Sequence, residues 1–94
     1  MSPAAAAFLG AFDAHLARIG DPGARVRLIE SERDRVDRLE RALADWAACD
    51  RAVAPQPTRF SAFDLALLHG ALTMRLQAAR EARGQETPAE ANRP

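Results

Sequence analysis

The chain has 94 residues, with 13 basic and 13 acidic side chains and a formal net charge of zero. A chain of this length predicts one domain with a thin core, because folding hides only about 60 to 65% of the unfolded surface. The balanced charge argues against the strongly basic surface that is typical of nucleic-acid binding.

Cysteine usage and the N-terminal segment bear on location. Cys49 is the single cysteine, so the chain cannot form an intramolecular disulfide, which favours a reducing cytoplasm. The N-terminal segment lacks the basic residues of a signal peptide, and Asp13 and His15 interrupt its apolar run well short of the roughly 20 residues of a membrane span. The sequence therefore predicts a cytoplasmic protein without a membrane partner.

The first predicted helix spans Pro3 to Ile19. Ser2 is suited to cap its N-terminus, and Pro3 fits the first helical position because an N–H would have no helical partner there. Gly20 predicts a left-handed cap at the C-terminal end. The large apolar residues follow the helical period and are expected to face the core; they are Phe8, Leu9, Phe12, Leu16 and Ile19.

The second predicted helix is the longest and covers Ala24 to Val53, a stretch without Gly or Pro. Asp21 and Pro22 give the same start signal as the first helix, so only a few residues connect the two. A connection this short predicts an αα-hairpin in which the long helix extends beyond its neighbour.

The third predicted helix begins after Ser61, which together with Asp64 resembles a capping box. The helix is expected to end at Gly84. Residues 85–94 contain no large apolar side chain and are predicted to form a disordered tail. The expected fold is all-α: a three-helix bundle, made of an αα-hairpin with a long central helix plus a third helix, in a domain over residues 1–84.

The long predicted helix carries a seam that resembles a coiled coil. With Ile29 at an a position, six of its eight a and d positions are apolar. Either the other helices of the chain cover this seam, or it binds a second subunit or another protein. In the second case the predicted contact ridge consists of Ile29, Val36, Leu39, Leu43 and Trp46. Two pairs one turn apart, Asp34–Arg38 and Asp37–Arg41, are expected to stabilise the exposed side.

The third predicted helix has two different sides. Four leucines form one face, Leu65, Leu68, Leu72 and Leu76. A neighbouring stripe holds the small residues Ala62, Ala66, Gly70 and Thr73. Inside a helix, Gly is about 1 kcal/mol less favourable than Ala, so either another helix crosses closely at Gly70 or the glycine is merely tolerated.

No group of residues specifies a catalytic, metal or cofactor site. His15 and His69 are the only histidines, and neither has a second ligand at a metal-binding spacing. Cys49 lies far from any helix N-terminus that would activate a thiolate, so we expect a small buried residue and not a nucleophile.

These observations favour binding over catalysis. The expected function is that of a small bacterial interaction module, an adaptor, regulator or chaperone-like protein that contacts a partner protein or a second copy in a homodimer. Every basic residue is Arg and Ala is abundant, a joint bias that is typical of GC-rich genomes and has no functional weight here. One alternative is a small all-α enzyme or ligand-binding protein that uses Arg side chains. Another is a weak nucleic-acid-binding regulator, although acidic residues balance the arginines of the long helix.

Overall fold

The computed structural model describes residues 1–49 and 53–91. It contains three helices, α1 (Pro3–Ala17), α2 (Pro22–Ala48) and α3 (Ala62–Ala91), and no strand in the described residues. Helices α2 and α3 pack closely, whereas α1 approaches both more loosely. The predicted all-α bundle is confirmed. No helix among the described residues combines the length and the apolar character needed to cross a membrane.

Helix α1 runs parallel to α3, as two contacts at the same sequence separation show. The backbone N–H of Ser2 donates to Oδ1 of Asp64 at 2.9 Å, and Arg75 donates to Asp13 at 2.6 Å. Both contacts join residues that are 62 positions apart. The two helices therefore advance together along the bundle.

Helix α2 runs antiparallel to α3. Nε2 of His69 lies 3.0 Å from Oδ1 of Asp37, and Nη2 of Arg80 lies 3.3 Å from Oε2 of Glu30. The later residue of α3 is thus paired with the earlier residue of α2. This arrangement places the end of α2 beside the start of α3.

The starts of all three helices follow the sequence signals. The side chains of Ser2, Asp21 and Ser61 each accept a hydrogen bond from the backbone N–H three residues later, at 3.2, 2.8 and 3.0 Å. Such caps satisfy N–H groups that have no partner inside the helix. The three predicted N-caps are confirmed.

The end of α1 differs from the prediction. The helix ends at Ala17 and not at Ile19, and the N–H of Arg18 donates back to the carbonyl of His15 at 3.1 Å. No glycine in the described residues has a positive φ, so the predicted left-handed cap at Gly20 is wrong. A tightened last turn satisfies the free carbonyls in its place.

Helix α2 also ends earlier than predicted. It stops at Ala48, and Cys49 has an extended backbone with φ −99° and ψ 178°. Val53, the predicted last residue, lies outside the helix with 81% of its surface exposed, while Asp50 of the predicted seam lies outside the described residues. The N–H of Cys49 donates to the carbonyl of Trp46 at 3.2 Å, so a tightened last turn closes the helix.

Helix α3 continues beyond its predicted end. It runs through Gly84 to Ala91, so Gly84 does not cap it. A single glycine lowers helix stability by only about 1 kcal/mol, and the residues around Gly84 include good helix formers such as Ala82 and Gln85. The division into a domain over residues 1–84 and a disordered tail over 85–94 stays a prediction.

The core follows one side of α3. Leu65, Leu68, Leu72 and Leu76 are all at most 1% exposed, which confirms the predicted leucine face. The other buried apolar residues are Ala5, Phe12, Leu16, Val26, Ile29, Val36 and Phe60. The ring of Phe8 stacks on Phe12 and meets the edge of Phe60, so aromatic contacts fill the end of the bundle near the start of α3.

The charged side of α2 differs from the prediction. Among the described residues, neither Asp34–Arg38 nor Asp37–Arg41 forms an ion pair, and Asp37 pairs with His69 of α3. An exposed pair within one helix contributes only about 0.3 to 0.5 kcal/mol, so a contact to another helix easily replaces it.

Candidate interaction surface

The ridge predicted on α2 lies mainly against the chain's own α3. Ile29 and Val36 are 0 and 2% exposed, and Leu39 and Leu43 are half-buried against the same core. Nε1 of Trp46 donates to the carbonyl of Ala54 at 2.9 Å, which ties the end of α2 to the following loop. The intramolecular alternative is therefore confirmed for Ile29 and Val36. A role of the ridge in partner binding stays a prediction.

A second apolar surface lies on the opposite side of α3 from the leucine face. We call it the outer α3 face and define it by Phe63, Ala66, Leu67, Gly70 and Met74. Phe63 is 67% exposed and Met74 is 72% exposed. Ala66 and Gly70 are exposed as well, and Leu67 is half-buried.

Helical geometry explains why this surface is uncovered. At 3.6 residues per turn, Phe63, Gly70 and Met74 point away from the side that carries the leucines. The first three turns of α3 are therefore apolar on two opposite sides, and the described part of the chain covers only one of them. A helix with apolar residues all round is typical of a helix that is buried all round.

Gly70 forms a shallow point in the middle of the outer α3 face. A Cβ placed on Gly70 meets no atom within 4 Å outside its own turn of helix. The described part of the chain thus has no helix crossing closely at this glycine. The space above it is open to another molecule.

Asp64 fixes α1 on one flank of α3. Its residue surface is only 5% exposed, and its Oδ1 accepts the backbone N–H of Ser2. Hydrogen bonds from the backbone and then the side chain of Ser2 lower the pKa of Asp64, outweighing the opposite effect of burial. The carboxylate therefore joins the starts of α1 and α3.

Asp13 and Arg75 fix the same flank about three turns further along both helices. The guanidinium donates from Nε and Nη2 to the two carboxylate oxygens at 2.6 and 2.7 Å, a bidentate geometry. The hydrogen bond from Arg75 lowers the pKa of Asp13, and the same bond raises the pKa of Arg75. Because α1 is held on this flank and α2 lies on the other, neither helix covers the outer α3 face.

A cavity of about 380 Å³ lies where the α1–α2 connection meets the second half of α3. Arg25 and Arg75 line it together with apolar side chains such as Leu16 and Ile29. Arg75 is already bonded to Asp13, and Nη1 of Arg25 donates to the carbonyl of Ile19 at 3.5 Å, so both guanidinium groups of the cavity have partners within the chain. The alternative of an enzyme or ligand-binding protein that uses several Arg side chains stays a prediction.

The structure places the nucleophilic and metal-ligating side chains differently from the prediction. Cys49 is exposed just beyond α2, so the expectation of a buried cysteine is wrong, because the helix ends before it. His69 lies beside Asp37 and Glu40, with their ligand atoms all within 4.8 Å of one another. Local spacing could not reveal this group, since it combines two helices.

The outer α3 face had a partial signal in the sequence. The small residues Ala66 and Gly70 were visible as a stripe, but the exposure of Phe63 and Met74 was not predicted. Their spacing of eleven residues, three helical turns, places them on one side of α3. Which side the chain covers depends on how α1 and α2 pack.

Comparison with known proteins gives no family for this chain. No protein-family model matches it. Neither a curated protein nor a solved structure matches it either. A function must therefore be inferred from the residues of this chain and from their geometry.

Proposed function

We propose that the protein is a small helical interaction module whose outer α3 face binds the same face of a second copy. The observation that supports this proposal is the high exposure of Phe63 and Met74, 67 and 72%, on a helix whose other side is buried. A large contiguous patch of exposed apolar side chains is typical of an interaction site. A second chain would cover the side of α3 that the first chain leaves open.

The order of residues along the face suits two identical helices that run antiparallel. A twofold interface requires a surface that is complementary to itself. With the twofold axis at the centre of the face, Phe63 of one copy is level with Met74 of the other, and Leu67 is level with Gly70. A sulfur–aromatic contact and a side chain beside a glycine are both favourable pairings.

Charge does not oppose this association. None of the five residues of the outer α3 face is charged, and the whole chain has a net charge of zero. Two copies therefore meet without net long-range repulsion. Apolar burial can then drive the contact.

Sedimentation equilibrium of the full chain and its Met74→Glu variant tests the proposal. We expect the unaltered chain to be a dimer and the variant to dimerise at least about tenfold more weakly, because the interface would bury an unpaired carboxylate. Val53→Glu is the matched control, since Val53 is 81% exposed and lies outside the helices. This control should dimerise like the unaltered chain.

Two results would contradict the proposal. If the chain is monomeric at every accessible concentration, it does not self-associate and the proposal is wrong. If Met74→Glu and Val53→Glu weaken dimerisation equally, the interface lies outside the outer α3 face. Far-UV circular dichroism of both variants should match the unaltered chain, because both residues are exposed.

A further inference from the structure

We infer that Asp37, Glu40 and His69 form a binding site for a divalent transition-metal ion, with zinc as its representative. One ligand atom from each residue lies within 4.8 Å of the others. Nε2 of His69 is already 3.0 Å from Oδ1 of Asp37. This site is separate from the outer α3 face, and it does not depend on the proposed self-association.

The two helices build the site from residues that are far apart in sequence. Asp37 and Glu40 are three positions apart on α2, so their side chains lie on the same side of that helix. The antiparallel packing of α3 brings His69 to the same place. The pair of Glu30 with Arg80, at 3.3 Å, joins the same two helices further along.

The two carboxylates are not neutralised by arginine. Arg41 lies one turn after Asp37 on a helix rich in arginine, yet among the described residues neither Asp37 nor Glu40 forms an ion pair with an Arg. Two carboxylates carry the two negative charges that a divalent cation balances. The site therefore combines a nitrogen ligand with two carboxylates that no arginine of the described residues binds.

The distances are close to those of a coordinated ion. Zinc binds His nitrogen and carboxylate oxygen at about 2.0 to 2.2 Å, which separates two ligands of a tetrahedral ion by about 3.4 Å. The His69–Asp37 contact of 3.0 Å needs little change. Glu40 has three side-chain torsions and can close the longer gap.

The donor set favours one class of ion. Ca²⁺ and Mg²⁺ prefer sites made entirely of oxygen ligands, whereas an imidazole nitrogen suits zinc and its neighbours among the transition metals. All three side chains are half-buried, so water can complete the coordination. Three protein ligands and an open position form the usual arrangement of a non-structural zinc site.

Calorimetric titration of the full chain with zinc chloride tests the inference. We expect saturable binding of one ion per chain, and we expect His69→Ala and Glu40→Gln each to weaken it by at least about tenfold. His15→Ala is the matched control, because His15 is an exposed histidine of α1 away from the site. Cys49→Ser is the second control, because Cys49 is an exposed thiol that could also bind zinc. Both controls should bind like the unaltered chain.

Three results would contradict the proposed metal site. Absence of saturable binding would show that Asp37 and His69 form an ordinary ion pair. Binding that survives His69→Ala but is lost in Cys49→Ser would place zinc on the cysteine. A stoichiometry of one ion per two chains, unchanged in Met74→Glu, would show that two copies share the ligand set. This result would overturn the intrachain site.

Discussion

The Asp13–Arg75 pair shows how much one residue contact contributes in this protein. The pair is bidentate, with its shorter bond at 2.6 Å, yet 45% of the Asp13 side chain is exposed. Solvent screens an ion pair at this exposure, so its contribution to stability is at most about 1 kcal/mol. Its main effect is to fix the position of α1 along α3.

The acid sensitivity of this pair follows from the lowered pKa of Asp13. A carboxylate whose pKa is lower in the folded state stabilises the protein above its unfolded pKa of about 3.9, and that stability is lost as pH falls through the folded value. We expect Asp13→Asn to reduce the free energy of unfolding by up to about 1 kcal/mol at pH 7. The difference from the unaltered chain should shrink as pH falls below about 4. Urea unfolding at several pH values measures it.

The matched control for this prediction is Asp45→Asn. Asp45 is an exposed carboxylate of α2 without an ion pair to any described residue, so its loss should leave the pH dependence nearly unchanged. A difference between Asp13→Asn and the unaltered chain that persists at pH 2 would instead indicate a change in packing. The pKa of Asp64 is also lowered, so the free energy of unfolding of both Asp13→Asn and the unaltered chain should still fall in acid.

Residue partners far apart in sequence were beyond sequence-based prediction. The sequence identified Ser2 and Asp64 as local helix-start residues, and the structure joins them across 62 positions. Likewise, Asp37 had a local candidate in Arg41 but pairs with His69. Each local candidate gains only a few tenths of a kcal/mol, so the packing of whole helices decides the partner.

At the scale of the helices, starts were predictable and ends were not. A start depends on one side chain that caps nearby N–H groups, as Ser2, Asp21 and Ser61 do. The predicted ends relied on Gly20 and Gly84 adopting a left-handed conformation that neither has. Glycine permits that conformation but does not require it, so the signal is weaker than a cap.

Gly84→Ala distinguishes a helix interior from a helix end. Gly84 is exposed within α3, and a Cβ there meets no atom within 4 Å. We expect Gly84→Ala to raise the free energy of unfolding by about 0.5 to 1 kcal/mol, because Ala has the higher helix propensity. Chemical unfolding followed by circular dichroism measures the change.

The benchmark for this substitution is Gly10→Ala. Gly10 is an exposed interior glycine of α1 with equally open surroundings. Similar gains at both positions would agree with a continuous α3. A loss of stability in Gly84→Ala alone would show a left-handed cap and an end of the helix at that residue.

At the scale of the whole molecule, the protein is a thin rod. It measures 66 × 23 × 16 Å, and its radius of gyration is 16.9 Å. A compact domain of this length has a radius of about 12 Å. An elongated bundle leaves much of each helix exposed, which is why α3 can carry buried leucines on one side and Phe63 and Met74 on the other.

Thermal stability should therefore depend on protein concentration. If a second copy covers the outer α3 face, each tenfold increase in concentration stabilises the dimer by about 1.4 kcal/mol, which raises Tm by about 3 to 6 °C. Differential scanning calorimetry over a wide concentration range measures this shift. Met74→Glu should need at least about tenfold higher concentration than the unaltered chain to reach the same rise in Tm, because its dimer is weaker. A constant Tm for the unaltered chain would contradict the dimer.

Trp46 is the only tryptophan of the chain, and its indole is bonded to the Ala54 carbonyl at the end of α2. Its fluorescence therefore reports on the connection between α2 and α3, while circular dichroism reports on all three helices. If the connection opens before the leucine core, the emission will change at a lower urea concentration than the helical signal. The protein thus carries a built-in optical probe that separates local opening from global unfolding.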